Sequence, residues 1–196
     1  MKNVLWILDH GMHCKNSGIQ DPNFISIGIA DLIQKRNSRL VPKAPGGTLS
    51  DYVPFYFTPY SIMMYNITTA GNGVTQRENS EVAILVTSLH KLQERGIRFV
   101  FTNAHAYLNE ADYFDDLADL NRVDWDLLRR KDFKRDPEDP GKLGRYQAES
   151  LAHLVVPVDA LLGIACYDNP AQQHLEAEVR SRGLSIPVKT LPGSYF

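Results

Sequence analysis

The sequence predicts an α+β domain, central β-sheets with short flanking helices, on three observations. Strand-like runs rich in β-branched and aromatic residues dominate the second half of the chain. Short stripes of helical periodicity dominate the first half. The two kinds do not alternate strictly, so a doubly wound parallel sheet is not predicted. At 196 residues, 43% of them hydrophobic, the chain is large enough to bury one substantial core, and one domain over 1–196 is expected.

Each element follows from its residues. "VLWILDHG" puts Val4, Ile7 and Leu8 on one helical stripe, with Gly11 suited to end it. A second short helix is predicted from Ala30 to Arg36, followed by the Pro- and Gly-rich loop "VPKAPGG". "DYVPFYF" reads as a strand that carries a proline, hence an edge or a bulge. "EVAILVTS" and "RFVFT" are short apolar strands expected to share the core sheet. Asn109 is placed to cap a helix bearing Phe114, Leu117 and Ala118, and Asp124 to cap another bearing Trp125 and Leu128. "DPEDPG" breaks any helix. Beyond it, "LAHLVVPV", "LGIACY" and "IPVKT" read as strands. Before the last of them comes a helix from Pro170 to Arg182, capped by Asn169 and stopped by Gly183.

Composition excludes several classes. No apolar run approaches the length that crosses a bilayer and the N-terminus lacks a cleavage-site pattern, which predicts a soluble, cytoplasmic protein with no membrane partner. Cys14 and Cys166 lie far apart and form no CxxC, so no disulfide framework is indicated. His10, His13 and Cys14 match no standard zinc spacing, and no metal is expected. GxGxxG, GxxxxGK and GxSxG motifs are absent, which removes a dinucleotide fold, a P-loop and a serine-hydrolase elbow. A net charge of −2 argues against coating nucleic acid by bulk electrostatics. The distribution is uneven, however. Leu32 to Ser50 holds Lys35, Arg36, Arg39 and Lys43 and no acid, and Arg122 to Arg145 holds eight basic residues among six acids. These two segments are the candidates for phosphate contact, against the ordinary alternative of a solvated face.

Arg36, Tyr52, Tyr56, His105 and the group Arg145, Tyr146, Gln147 and Glu149 stand out from the scaffold. Singly, most have ordinary explanations: Arg36 compensates a helix dipole, Tyr56 is a half-buried aromatic, His105 occupies a turn. Glu149 differs, because it lies where the polar stretch "GKLGRYQAES" meets an apolar run. Alternation along a strand sets Gln147, Glu149 and Leu151 on one side, facing either a cleft or a buried ion partner. One carboxylate cannot run ordinary glycoside hydrolysis, which needs two. It suffices when the leaving group is already cationic, as nicotinamide is in NAD: departure leaves a neutral base and an oxocarbenium-like centre that one carboxylate stabilises. An arginine on the diphosphate and an aromatic against nicotinamide complete a minimal site.

"NFISIGIADLIQKR", "GGTLSDYVPFYFTPYSIMMYNI", "FVFTNAHAY", "VDWDLLRRKDF" and "RYQAE" together resemble the DarT toxins, ADP-ribosyltransferases that modify single-stranded DNA, in five segments in order over nearly the whole chain. The resemblance implies an ADP-ribosyltransferase-like mixed fold, NAD as co-substrate, and transfer of ADP-ribose onto a base, most often thymine. It implies single-stranded DNA and a DarG-like macrodomain antitoxin as partners. It implies Glu149 and Arg36 as catalytic, and Arg36, Tyr56, Gly28, Leu32 and His105 as NAD-binding. The stretch from Arg122 to Gln147 resembles the loop that presents DNA, with Arg145, Tyr146, Gln147, Arg130 and Lys134 as the contacts. The family usually opens with a strand of the form "WRIVH" whose histidine helps hold nicotinamide. Here Met1 stands almost at the first helix, so that strand is expected to be missing, with NAD affinity the property affected. Two other outcomes stay open: a guanine- or protein-directed transferase on the same fold, and an attenuated module that binds single-stranded DNA without activity.

Overall fold

The computed structural model describes residues 1–196. Its elements are α1 (Lys2–His10), β1 (Met12–His13), α2 (Ala30–Arg36), β2 (Tyr52–Tyr56), α3 (Ile62–Thr69), β3 (Ile84–Val86), α4 (Leu89–Glu94), β4 (Phe99–Thr102), β5 (Tyr113–Phe114), α5 (Trp125–Arg130), α6 (Lys142–Arg145), β6 (Glu149–His153), β7 (Val155–Val156), β8 (Gly163–Cys166), α7 (Asn169–Ser181) and β9 (Val188–Thr190).

The strands form three small sheets. One is antiparallel, in the order β2-β6-β4-β5; one runs β3-β8-β9, with β8 and β9 parallel; β1 and β7 make a two-stranded ribbon. β2 is an edge strand, as Pro54 requires of it, because a residue without an N–H can sit only where one side needs no ladder bond. β6 has neighbours on both sides, so its first residue, Glu149, is anchored at the middle of the largest sheet, opposite Tyr56.

The pleat divides the core into two faces. Phe99, Phe101, Val53 and Ala152 turn to one side, where Leu92, Leu127, Leu128 and Tyr146 cover them. Tyr52, Val100 and Leu151 turn to the other, with Val41, Leu49, Ala106 and Tyr113. Glu149 has the parity of Leu151, so the alternation expected along this strand holds from Glu149 onward. Gln147 precedes the strand, in the turn after α6. A third core packs α1 and α7 on the smaller sheet through Val4, Leu8, Ile164, Leu175 and Val179. Leu175 is fully buried, and its truncation to alanine carries the usual cavity cost of about 2–5 kcal/mol.

Three expectations need correction. "EVAILVTS" and "RFVFT" do not share a sheet: β3 pairs with β8 and β4 with β6 and β5, a choice of partner that short apolar runs do not encode. The helix expected after Asn109 is instead β5 followed by a 3₁₀ turn at Leu117–Arg122 capped by Asp116. Phe114 pairs across to Phe101, and the Asn109 side chain accepts from Arg39, so sheet pairing and a tertiary bond displaced the cap. The cap of α7 is Asp168, accepting from Ala171 N–H at 2.9 Å, one residue before Asn169. The "PYSIMMYNI" stretch, which carries no clear helical stripe, forms α3, with the Ser61 hydroxyl accepting from Met64 N–H.

Candidate active site

Glu149 is 1% exposed, and every polar atom of it is engaged. Its Oε2 accepts from Arg36 Nη1 at 2.9 Å and its Oε1 from the Ala106 backbone N–H at 3.0 Å. Its own N–H donates to Thr102 Oγ1 at 3.1 Å, and the Thr102 hydroxyl donates onward to Ala104 O. The Tyr113 hydroxyl donates to Ala106 O, so the turn that presents the Ala106 N–H is held from two sides. A carboxylate so fixed cannot swing away from whatever approaches Arg36.

Arg36 is the last residue of α2, a helix that buries no side chain in the core. Polar ties hold it. Asn37 Oδ1 accepts from Ser50 Oγ at 2.8 Å and Lys15 Nζ at 2.9 Å. Arg39 donates to Leu108 O at 2.6 Å and Asn109 Oδ1 at 2.8 Å. A cavity of about 330 Å³ lies between Ser38, Arg39 and the Tyr107–Glu110 loop, the two segments that flank the ion pair. Arg36 Nη2 and Arg39 Nε are buried without any hydrogen-bond partner. Buried cationic donors left over in this way suit anionic ligand oxygens. Leu32 is half-buried one turn before Arg36 on the same side of α2, and Gly28 lies against Ile33 at the helix entrance.

Tyr56, the cross-strand neighbour of Glu149, has its phenol pushed well above the ordinary range by burial first and by the Glu149 charge second, so it stays protonated. His105 has its imidazole lowered from the ordinary 6.5, chiefly by burial, against the opposing pull of Glu149. Its Nδ1 accepts from Tyr107 N–H at 3.2 Å and lies 3.3 Å from Glu149 Oε1. For a neutral ring that approach sets acceptor against acceptor, and the proton belongs on Nε2.

The sequence-predicted residues therefore separate. Glu149, Arg36, Tyr56 and His105 converge from four segments. Arg145 is committed elsewhere, clamped by Asp139 at 2.6 and 3.0 Å and by Asp124 at 3.2 Å, where it pins the "DPEDPG" loop. Tyr146 is 1% exposed, its hydroxyl on Tyr60 O, so the DNA contact expected of its ring meets a core that surrounds it. Gln147 donates to Leu143 O. Arg130 and Lys134 are exposed on the surface. Thr102, Arg39 and the Ala106 N–H were missed: a backbone donor carries no side-chain signature, a threonine ending a strand is ordinary, and Arg39 counted only as part of a basic run. His10 and His13 stack on and edge against Trp6 rather than converging with Cys14.

One buried carboxylate held by an arginine and flanked by a protonated tyrosine, on small sheets with short helices, is an arrangement suited to glycosyl transfer from a donor whose leaving group needs no second acid. The family described as "ssDNA thymidine ADP-ribosyltransferase, DarT" matches residues 1–196, and the chain belongs to it. It is 46% identical over 194 residues to a DNA ADP-ribosyl transferase of Escherichia coli O127:H6, covering 99% of this chain and 89% of that protein. Among solved structures, Thermus sp. 2.9 DarT in complex with ADP-ribosylated ssDNA superimposes with a TM-score of 0.90 at 29% identity, over 99% of this chain and 91% of that one. The same Thermus protein in complex with NAD+ gives 0.86 at 28% identity, over 99% and 92%. The mixed fold and the DNA ADP-ribosyltransferase class expected from the sequence are those observed.

Proposed function

We propose that Arg36 and Glu149 form the centre at which this chain moves ADP-ribose from NAD to a thymine of single-stranded DNA. The observation that carries the assignment is the buried 2.9 Å pair together with the unpartnered second nitrogen of Arg36. Arg36 was expected both as a catalytic residue and on the diphosphate. The geometry supports two roles, one nitrogen fixing Glu149 and the other on a diphosphate oxygen, with Arg39 beside it. Tyr56 packs against nicotinamide, and Gly28 and Leu32 line the donor side.

Glu149 takes the 2′-hydroxyl of the nicotinamide ribose as a hydrogen-bond donor. The C1′–N bond then breaks, its electron pair leaves with nicotinamide as a neutral base, and the carboxylate stabilises the oxocarbenium. The thymine ring nitrogen attacks C1′ and surrenders its proton to the Glu149 carboxylate. That nitrogen is occupied in a duplex, which accounts for a single-stranded substrate.

Mass spectrometry of oligonucleotides incubated with NAD tests this reading. A single ADP-ribose on thymidine-containing strands, absent with Glu149→Gln, is expected. Adducts confined to guanine or to protein, or binding without NAD consumption, point instead to the alternatives above. In the cell we assign the 196 residues to one toxin unit that blocks replication in the cytoplasm, partnered by a DarG-like macrodomain that removes the modification. No helix is long and apolar enough to cross a membrane.

A further inference from the structure

A second cavity, about 530 Å³, opens between α3 and the loop after α5, lined by Tyr65, Lys131, Asp132, Phe133 and Lys134. Its size is that of a small-ligand site. Its aromatic walls lie at the edge of the core, with Phe133 partly buried against it. Tyr65 is 42% and Phe196 41% exposed, while their rings lie 5.4 and 5.7 Å from Phe133. Lys131 Nζ sits 3.6 Å above the Tyr60 ring. The backbone at Lys131 is left-handed, φ 55°, an unusual state for a side-chain-bearing residue and one that here ends α5 and turns this lysine toward the aromatics.

Charge on the cavity lining itself is positive once Asp132 is paired off, leaving Lys131 and Lys134. Asp132 is taken by Lys142, Asp124 and Asp139 by Arg145, and Asp126 by Arg129. Arg130, Lys131, Lys134 and Arg135 take no part in those pairs. Exposed ring faces beside unpaired lysines are how proteins hold a single strand, bases stacking on the rings and phosphates meeting the cations. The platform is also tied to the catalytic strand: the Phe133 ring lies 5.4 Å from that of Tyr146, whose chain enters β6 three residues later at Glu149.

We propose that Tyr65 and Phe133, with Lys131 and Lys134, form a base-stacking subsite for a nucleotide flanking the modified thymine. The inference rests on the single-stranded-DNA reading above. The test uses oligonucleotides with one target thymine in which each flanking nucleotide in turn is made abasic, assayed with NAD and the full chain. One flanking position is expected to lower kcat/KM about five- to a hundredfold, mainly through KM, the range of one stacked base. Tyr65→Ala lowers kcat/KM similarly on the intact strand and loses nothing further on the strand abasic at that position. Tyr65→Phe, which keeps the ring face, restores the affinity. Lys134→Ala flattens the salt dependence of binding by about 0.7 in log–log slope, one phosphate's worth. If adducts form and Tyr65→Ala matches the unsubstituted enzyme on every strand, the subsite is wrong while the proposed function stands. If no strand gains ADP-ribose, the function itself fails and takes the subsite with it.

Discussion

The two halves of the proposed catalytic pair are supported in opposite ways. Glu149 opens a strand hydrogen-bonded on both sides and packed on fully buried Val100 and Leu151. Arg36 ends a seven-residue helix with no buried side chain, held by Asn37, Arg39 and the pair itself. The acid is part of the core; its partner is fastened to the core by polar ties. The position of Glu149 is thus set by the sheet, whereas the proposed donor binding at α2 can change without disturbing the fold.

That contrast can be broken or sharpened by substitution. The largest effect is expected for Glu149→Gln, which keeps an acceptor for Ala106 N–H but loses the charge: adduct formation falls about 10³-fold or more while the melting temperature moves little. Loss of activity accompanied by a collapse in melting temperature would count against the separation of chemistry from fold. Arg36→Lys comes next, with about a 10²-fold loss, because one ammonium cannot serve the carboxylate and a ligand oxygen in the planar geometry of guanidinium; NAD titration checks whether KM rises. Thr102→Val leaves the buried Glu149 N–H without an acceptor, at about 1–3 kcal/mol by chemical denaturation, and Thr102→Ser recovers it. Arg39→Ala is expected to raise the KM for NAD a few-fold with unchanged DNA affinity and melting temperature. An equal effect on both substrates would show that α2 is not a separately tethered unit.

The smallest effect is pH-dependent. His105 binds its proton less readily folded than unfolded, because burial lowers it from 6.5. Below 6.5 the unfolded chain takes up a proton that the folded chain resists, so stability falls as pH drops toward the folded value. Urea melts at pH 7 and pH 5 should show a decline that His105→Gln reduces.

Legibility in the sequence followed the same division. Local signals placed α1, α2, the edge strand β2 and, within a residue, α7, because caps, prolines and helical spacing are written in adjacent residues. Partition of the strands among sheets was not legible, since Phe101 meets Phe114 and Ser150 through tertiary choice. At the site, alternation marked Glu149 as facing inward with Leu151. Its partner, 113 residues away, is beyond any spacing argument and came from resemblance. Arg145 and Tyr146 stand out by residue type as DNA contacts, while in the fold two carboxylates engage the one and the surrounding core the other. The surface proposed around Tyr65 and Lys131 depends on a helix in a stretch that carries no clear stripe.

The bond from Ala106 N–H to the Glu149 carboxylate makes one main-chain proton an internal reporter. Its resonance follows the charge on the acid with no label placed near the reaction. A spectrum taken as NAD is added, and again as DNA is added, therefore records when the enzyme's negative charge is neutralised and by which substrate.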